Sequence, residues 1–207
     1  MPDSRGSRRC AICWIPATCC IDGMLSGTLA WLFNRFDGSV PFSTLLREAL
    51  AMGYTEPDPR DDLSGLDVAR KLVILAREAG RELSVDNVEV ENLVPPSLQH
   101  VTREEFLARL EELDAPMQIR LDAANAQGLG LRHIAQLDHD GRARVGVVAL
   151  PDTHACRHTR LTDNLVQVRT DRYWENPLVV QGPGAGPQVT AAGVFGDVLA
   201  IARSLGA

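Results

Sequence analysis

Lysine is almost absent from this 207-residue sequence, because Lys71 is the single lysine among 21 lysine and arginine residues. The arginines form no basic stripe, and the formal net charge is -6. A general nucleic-acid surface would need clustered basic residues, so this distribution argues against one. The sequence also lacks a run of 18 apolar residues that could cross a membrane as a helix.

A framework of disulfide-forming cysteines is missing too, since four of the five cysteines lie between residues 10 and 20 and Cys156 stands alone. A reducing cytoplasm is therefore the expected compartment. Within the cluster, only Cys10 and Cys13 have the spacing of zinc ligands, which is a weak signal. We interpret residues 1–20 as a leader that is poorly ordered or not native to the domain that follows.

Apolar residues at helical spacing predict several helices in the first two thirds of the chain. The first follows Ser26, and the second covers residues 42–54 with Ser43 as its cap and Gly53 as its end. Further helices are predicted over residues 65–80, 103–113 and 116–128. Between the second and third helices, Pro57 and Pro59 predict a rigid, irregular loop.

The remainder of the chain has the pattern of strands. Short β-branched stretches at residues 131–138, 143–150, 163–170 and 177–182 are separated by turn signals. A last helix is predicted over residues 190–205. Helices followed by a mostly antiparallel sheet, with a C-terminal helix, make an α+β domain.

Acidic residues surround the one lysine. Asp67 lies four residues before Lys71 on a predicted helix, so the two side chains share one face. Such a pair is commonly a surface salt bridge. The alternative is a lysine that exchanges a proton, a role that arginine cannot take. The spacing alone leaves both interpretations open.

A metal site is a further alternative at the acidic loop, built on Asp58, Asp61 and Asp62. These acids lack the alternating spacing of a calcium loop, so no metal is predicted. The sequence also has histidines that are irregularly placed in strands and turns, and we predict ordinary surface positions for them: His133, His139, His154 and His158.

Three stretches resemble the homoserine dehydrogenase family, in matching order. They are GMLSGTLAWLFNRFDGSVPFS at residues 23–43, GYTEPDPRDDLSGLDVARKLVILARE at residues 53–78 and NPLVVQGPGAGPQVTAAGVFGDVL at residues 176–199. The likeness runs from about residue 21 to the end, which we take as one substrate-binding and dimerisation domain, residues 21–207. It is most similar to the C-terminal part of the fused aspartokinase–homoserine dehydrogenases.

The resemblance implies reversible hydride transfer between NAD or NADP and the pair L-homoserine and L-aspartate 4-semialdehyde, in threonine, methionine and isoleucine synthesis. Lys71 matches the general acid/base of the family. Other positions match residues that contact the substrate, namely Glu56, Asp67, Asp62 and Thr28. Three match positions beside the cofactor, namely Gly53, Glu56 and Gly186. The small-molecule substrate is the expected partner, together with a second copy of the chain in a homodimer formed through the sheet.

The sequence departs from the family in one respect. The family's N-terminal Rossmann domain has a Gly-rich phosphate loop, and these residues contain none; GPGAGP at 182–187 is interrupted by prolines and fits a glycine-lined close turn better. We therefore expect a fragment with little dehydrogenase activity alone. The alternative is a non-catalytic remnant that forms a dimer with a full-length relative.

Overall fold

The computed structural model describes residues 18–184 and 187–206. A six-stranded sheet, in the order β2-β4-β3-β1-β5-β6, forms the centre of the described chain. The strands are β1 (Thr18–Met24), β2 (Val88–Val90), β3 (Gly130–Leu137), β4 (Ala143–Leu150), β5 (Asp163–Thr170) and β6 (Leu178–Pro183). The helices are α1 (Gly27–Arg35), α2 (Phe42–Ala51), α3 (Pro59–Leu63), α4 (Leu66–Glu78), α5 (Arg103–Ala108), α6 (Asp114–Asn125) and α7 (Pro187–Ser204).

Strand pairing in the sheet is antiparallel except where β2 runs parallel to β4. The predicted α+β class with a mostly antiparallel sheet and a C-terminal helix is therefore confirmed. Strand β1 lies in the middle, between β3 and β5, and is followed at once by α1. This order places the turn between β1 and α1 at the centre of one sheet end.

The main hydrophobic core lies between one face of the sheet and the helices. Helices α1, α4 and α6 contact β3. On the sheet side, alternate residues such as Ile21 and Ala135 are fully buried, and on the helix side Leu32 and Leu72 are fully buried. Because side chains in a strand alternate between the two faces, the neighbouring residues of each strand point to the opposite side.

The opposite face of the sheet is covered at one end by residues 151–162, which we call the strap. The strap contains a 3-10 helix, Ala155–His158, and contributes Cys156 to a second, smaller core with Met24, Ile134 and Leu165. Burial raises the pKa of the Cys156 thiol to about 12, so this cysteine is an inert apolar group.

A polar cluster around Asp22 joins the strap to the sheet. The carboxylate accepts hydrogen bonds from Gln136 at 2.9 Å and Gln167 at 3.2 Å, and His154 of the strap lies 3.5 Å away. Burial alone would raise the pKa of Asp22, but the hydrogen bonds from His154 and Gln136 outweigh burial, and the pKa is lowered. His154 and the fully buried His133 are thus not surface residues, and for these two the prediction is wrong.

The acidic loop is more regular than predicted, because α3 forms within it. Pro59 occupies the start of α3, where its missing N–H costs nothing, and the Asp58 side chain accepts from the Arg60 N–H as the N-cap. Ser26 caps α1 as predicted, with its Oγ accepting from the Leu29 N–H at 3.2 Å. Ser43 is not a cap: its N–H and hydroxyl both donate to Asp114 of α6.

Helix α7 differs from the other long helices because its apolar side chains are exposed. Val194, Phe195, Val198 and Ile201 are each more than half exposed. Within residues 18–184 and 187–206, none of the helices combines the length and apolar character needed to cross a membrane.

Candidate active site

Lys71 lies at the middle of α4, one turn after Asp67. Its Nζ forms a salt bridge of 2.8 Å to Asp67 Oδ2 and donates to the carbonyl oxygen of Leu25 at 2.9 Å. The lysine side chain is 43% exposed, so it is open to solvent. Two acceptors therefore hold the nitrogen, while the side chain stays accessible.

The Leu25 carbonyl belongs to the turn between β1 and α1. Strand β1 ends at Met24 and α1 begins at Gly27, so only Leu25 and Ser26 connect them. The Leu25 side chain is buried in the main core. The core therefore fixes the carbonyl that meets the lysine.

A second group of predicted residues surrounds the segment between α2 and α3: Glu56 belongs to this segment, Asp62 to α3 and Thr28 to α1. The Asp62 carboxylate accepts from the Glu56 N–H at 2.8 Å, and the Thr28 hydroxyl donates to the Tyr54 carbonyl at 2.6 Å. Burial raises the pKa of Asp62, and the nearby Glu56 carboxylate adds to this effect. These bonds attach residues 54–56 to α3 and to the start of α1.

One cavity of about 520 Å³ joins the two groups. Its lining includes every predicted site residue that the structure describes, namely Lys71, Asp67, Glu56, Asp62, Thr28 and Gly53. Gly186 was also predicted beside the cofactor, and it lies outside the described residues. The sequence prediction and the cavity therefore agree on six positions that span residues 28 to 71.

The charges of this cavity favour a ligand with a positive group. Its lining has three carboxylates, Glu56, Asp62 and Asp67, against the one ammonium of Lys71. Among the described residues, the Glu56 side chain forms no ion pair, so its carboxylate remains available. A ligand ammonium can therefore be bound at Glu56 while an oxygen atom of the same ligand meets Lys71.

Asp58 is not among the residues that line the cavity. Arg60 donates to both of its carboxylate oxygens, to Oδ1 at 3.0 Å and to Oδ2 at 2.6 Å. The Arg60 hydrogen bonds lower the pKa of Asp58. Across residues 18–184 and 187–206, no group of three or more metal-ligating side chains is assembled. The alternative metal site on Asp58, Asp61 and Asp62 therefore has no support in the described chain.

Sequence reasoning missed the contribution of β5 to the cavity. Asn164 of β5 and Thr162 at the end of the strap line the cavity, and Gly184 passes so close to Asn164 that a Cβ atom would overlap the amide. The Asn164 Oδ1 is buried and has no hydrogen-bond partner among residues 18–184 and 187–206. The glycine-lined turn at residues 182–187 was the only sequence signal for the close approach of Gly184 to Asn164. Nothing in the spacing of residues 162–164 marks them as site residues.

Comparison with known proteins identifies the class. The family model described as homoserine dehydrogenase matches residues 18–199. A crystal structure of a Candida auris protein of unknown function superposes with a TM-score of 0.85 at 40% identity, covering 90% of this chain and 54% of that one. A putative homoserine dehydrogenase from Archaeoglobus fulgidus has a TM-score of 0.68 at 27% identity, covering 89% and 51%. These matches define the class of the chain by its fold and by the homoserine dehydrogenase family model.

Relatives with similar sequences point to the same family. The bifunctional aspartokinase/homoserine dehydrogenase 2 of Escherichia coli K12 is 49% identical over 185 residues, which are 89% of this chain and 23% of that protein. The homoserine dehydrogenase of Saccharomyces cerevisiae is 42% identical over 193 residues, which are 89% of this chain and 53% of that protein. The chain belongs to the homoserine dehydrogenase family, and it spans between about a quarter and about half of these relatives' lengths.

Proposed function

We propose that this chain forms the substrate site of a homoserine dehydrogenase, which interconverts L-homoserine and L-aspartate 4-semialdehyde. The observation that supports this most is Lys71, whose Nζ is held by Asp67 and the Leu25 carbonyl at the wall of an acidic cavity. L-Homoserine carries an ammonium group and a hydroxyl group. The cavity offers a free carboxylate for the first and a lysine for the second.

In this proposal Lys71 is the general acid/base. When the aldehyde is reduced, the Lys71 ammonium stabilises the negative charge that develops on the carbonyl oxygen and then donates a proton to it. When the alcohol is oxidised, the neutral amine accepts the hydroxyl proton. Asp67 orients the lysine, and Glu56 binds the substrate ammonium. Asp62 and Thr28 fix the position of residues 54–56, so they set the distance between the two ends of the substrate site.

The cofactor would lie against the part of the cavity that Gly53 forms. Gly53 has a φ of 70°, and no atom lies within 4 Å of the position of a Cβ at this residue. This open wall has room for a flat ring, and Glu56 and Gly186 complete the proposed contacts. NAD or NADP, when bound, accepts or supplies the hydride.

We also propose a homodimer formed through the sheet, and a cytoplasmic location. On the sheet face beyond the strap, Arg144 is exposed, Val148 is partly exposed, and Val179 of the edge strand β6 is 40% exposed. These residues form a surface that a second copy could cover.

Cys20 and Cys156 are free thiols, which supports a reducing compartment.

Because we expect little turnover from this chain alone, the role of Lys71 is tested by joining the chain to the nucleotide-binding domain of a full-length relative and measuring turnover of L-homoserine with NADP at alkaline pH. Loss of a general acid/base typically costs about 10²–10⁴-fold in rate, so we expect this fall in kcat for Lys71→Met. Arg142→Met is the matched control, because it removes a cation from an exposed position and should not change kcat. Equal rates for the protein and Lys71→Met would contradict the proposal.

A further inference from the structure

The Lys71 nitrogen has a fixed geometry that goes beyond an ion pair. A lysine ammonium has three N–H donors. Two of them are taken by Asp67 Oδ2 at 2.8 Å and the Leu25 carbonyl at 2.9 Å. One N–H remains, on a side chain that lines the cavity.

The same two acceptors determine which proton can be exchanged. A neutral lysine amine has two N–H donors and one lone pair. If both N–H groups stay on Asp67 and the Leu25 carbonyl, the lone pair occupies the third direction, where the substrate oxygen would lie. The proton that moves is then always the one between Lys71 and the substrate: the O–H bond of the alcohol breaks and a third N–H bond forms. The Leu25 carbonyl is therefore as important to this geometry as the Asp67 carboxylate.

The position of the Leu25 carbonyl depends on Gly23. After β1 ends, the Leu25 side chain folds back over Gly23, and a Cβ atom at residue 23 would lie 3.0 Å from Leu25 Cγ and 3.1 Å from its Cδ2. Such distances are too short for carbon atoms, which prefer about 3.5–4.0 Å. Leu25 is only 6% exposed, so its side chain has little space into which it could move. An added methyl group would therefore displace the Leu25 side chain, and we expect the backbone at Leu25 to move with it.

We propose that Gly23 is a positioning residue for Lys71: the missing Cβ lets Leu25 fold back, and this directs the Leu25 carbonyl at the lysine nitrogen. The inference rests on the proposed acid/base role of Lys71 for its catalytic meaning. The physical link from Gly23 through Leu25 to Lys71 can be measured without turnover. Gly23 touches neither substrate nor cofactor in this account and acts only through Leu25.

Because Lys71 is the only lysine, selective ¹⁵N labelling of lysine gives one side-chain ammonium signal. With leucine carbonyls labelled with ¹³C, a hydrogen bond from Lys71 Nζ to Leu25 should give a scalar coupling between these two atoms at low pH and low temperature. We expect the coupling in the protein and its loss in Gly23→Ala. Gly193→Ala in α7 is the matched control and should keep the coupling, since apart from the chain neighbours and the backbone of α7 no atom of the described residues lies within 4 Å of its Cβ position.

A second background keeps the test decisive if Gly23→Ala does not fold. Leu25→Ala removes all three atoms that the new Cβ would meet. With alanine carbonyls labelled instead, Gly23→Ala should leave the coupling unchanged in this background. No coupling in the protein, a coupling that survives in folded Gly23→Ala, or one lost when Gly23→Ala is added to Leu25→Ala would overturn the proposal.

Turnover of L-homoserine, measured in the same assay as for Lys71→Met, separates the positioning role of Gly23 from the proposed function of Lys71. A displaced general acid/base lowers kcat more than it changes KM, so Gly23→Ala should reduce kcat by about 10–100-fold with a nearly constant KM. If the coupling behaves as expected and Lys71→Met has normal turnover, the positioning by Gly23 stands and the proposed function fails. If the coupling is absent and Lys71→Met loses turnover, the function stands and the Gly23 proposal fails.

Discussion

Arg132 is a buried cation that is satisfied by carbonyl groups rather than by a carboxylate. Its guanidinium donates to the carbonyls of Phe33, Leu131, Cys156 and Arg157 at distances of 2.7 to 3.2 Å. It thereby joins α1, β3 and the strap. Burial lowers the pKa of Arg132 to about 10, so it remains charged at neutral pH.

Removing this guanidinium should destabilise the protein strongly. Arg132→Met removes a donor from four carbonyls, of which that of Cys156 keeps the Thr159 hydroxyl, and each buried unsatisfied group costs about 1–3 kcal/mol. The substitution also removes the desolvation penalty of the buried charge, which offsets part of the cost of the unsatisfied carbonyls. We therefore expect the free energy of unfolding to fall by about 2–4 kcal/mol. Urea unfolding measures the free energy of unfolding, and Arg142→Met, a substitution at an exposed position, is the control. A fall below about 1 kcal/mol would show that the strap is held by other contacts.

His133 should make the protein sensitive to mild acid. Burial lowers its pKa to about 4 from 6.5, and the positive charge of Arg120 acts in the same direction, against the effect of Glu91. In the unfolded chain His133 takes up a proton below pH 6.5, but in the folded chain it does so only near pH 4. Stability is therefore lost as the pH falls from about 6.5 to about 4, by roughly 3 kcal/mol at about 1.4 kcal/mol per tenfold change in proton affinity.

Urea unfolding at a series of pH values tests this expectation. His133→Leu should remove most of the loss between pH 6.5 and 4, since the imidazole Nε2 has no hydrogen-bond partner to lose. His139→Leu, at a side chain that is 68% exposed, should retain the loss. If the loss of stability between pH 6.5 and 4 is the same in His133→Leu, groups other than His133 cause that loss.

Among single residues, the sequence could mark the chemistry but not the supporting contacts. Lys71 was recognisable because it is the only lysine and follows Asp67 by one helical turn. The Leu25 carbonyl, the buried Arg132 and the buried His133 were not recognisable, because each depends on contacts between residues far apart in the chain. Asn164 was missed for the same reason.

At the scale of secondary structure, α3 shows how proline can mislead. Pro57 and Pro59 predicted an irregular loop, yet proline is favoured at the first position of a helix, where its missing N–H has no helical partner in any case. Asp58 supplies the N-cap. Strands β1 and β2 were also missed: β2 has only three residues, and β1 contains the polar pair Asp22 and Gly23 within an otherwise apolar stretch.

Helices α4 and α7 should differ in local stability. Val68, Leu72 and Val73 of α4 are buried, whereas the apolar side chains of α7 are largely exposed. A helix that buries little apolar surface opens readily. We expect hydrogen exchange in α7 to be at least about 100-fold faster than in α4, a difference of about 2.8 kcal/mol in opening free energy at 1.4 kcal/mol per tenfold. Similar protection of both helices would contradict this.

The whole molecule has one sheet face covered by helices and the other covered only partly by the strap. If the uncovered part is the dimer surface, Val179→Glu should shift the protein from dimer to monomer, because it introduces a charge into that interface. Ile119→Glu is the matched control, since Ile119 is 69% exposed on α6 in the helical layer. Sedimentation velocity measures the state. A protein that is monomeric before substitution would refute the proposed dimer.

At this scale the sequence predicted well what depends on local pattern and on resemblance to a family. Four of the six strands, the C-terminal helix and six residues that line the cavity were identified, but the predicted order of helices before strands was wrong for β1 and β2. The order of strands in the sheet was not, because pairing such as β1 between β3 and β5 joins segments more than 100 residues apart. Long-range pairing is fixed by the packing of the complete core rather than by any local signal.

The central claim is that Lys71 and Glu56 bind the two ends of an amino alcohol. The most direct measurement is the lysine side-chain signal of Lys71 during titration with L-homoserine and with 4-hydroxybutanoate, which lacks only the ammonium group. An ammonium–carboxylate hydrogen bond contributes about 1.5–3 kcal/mol, so L-homoserine should bind roughly 10–100-fold more tightly and shift the signal. Equal affinities, or a Lys71 signal that saturating L-homoserine leaves unchanged, would contradict the account.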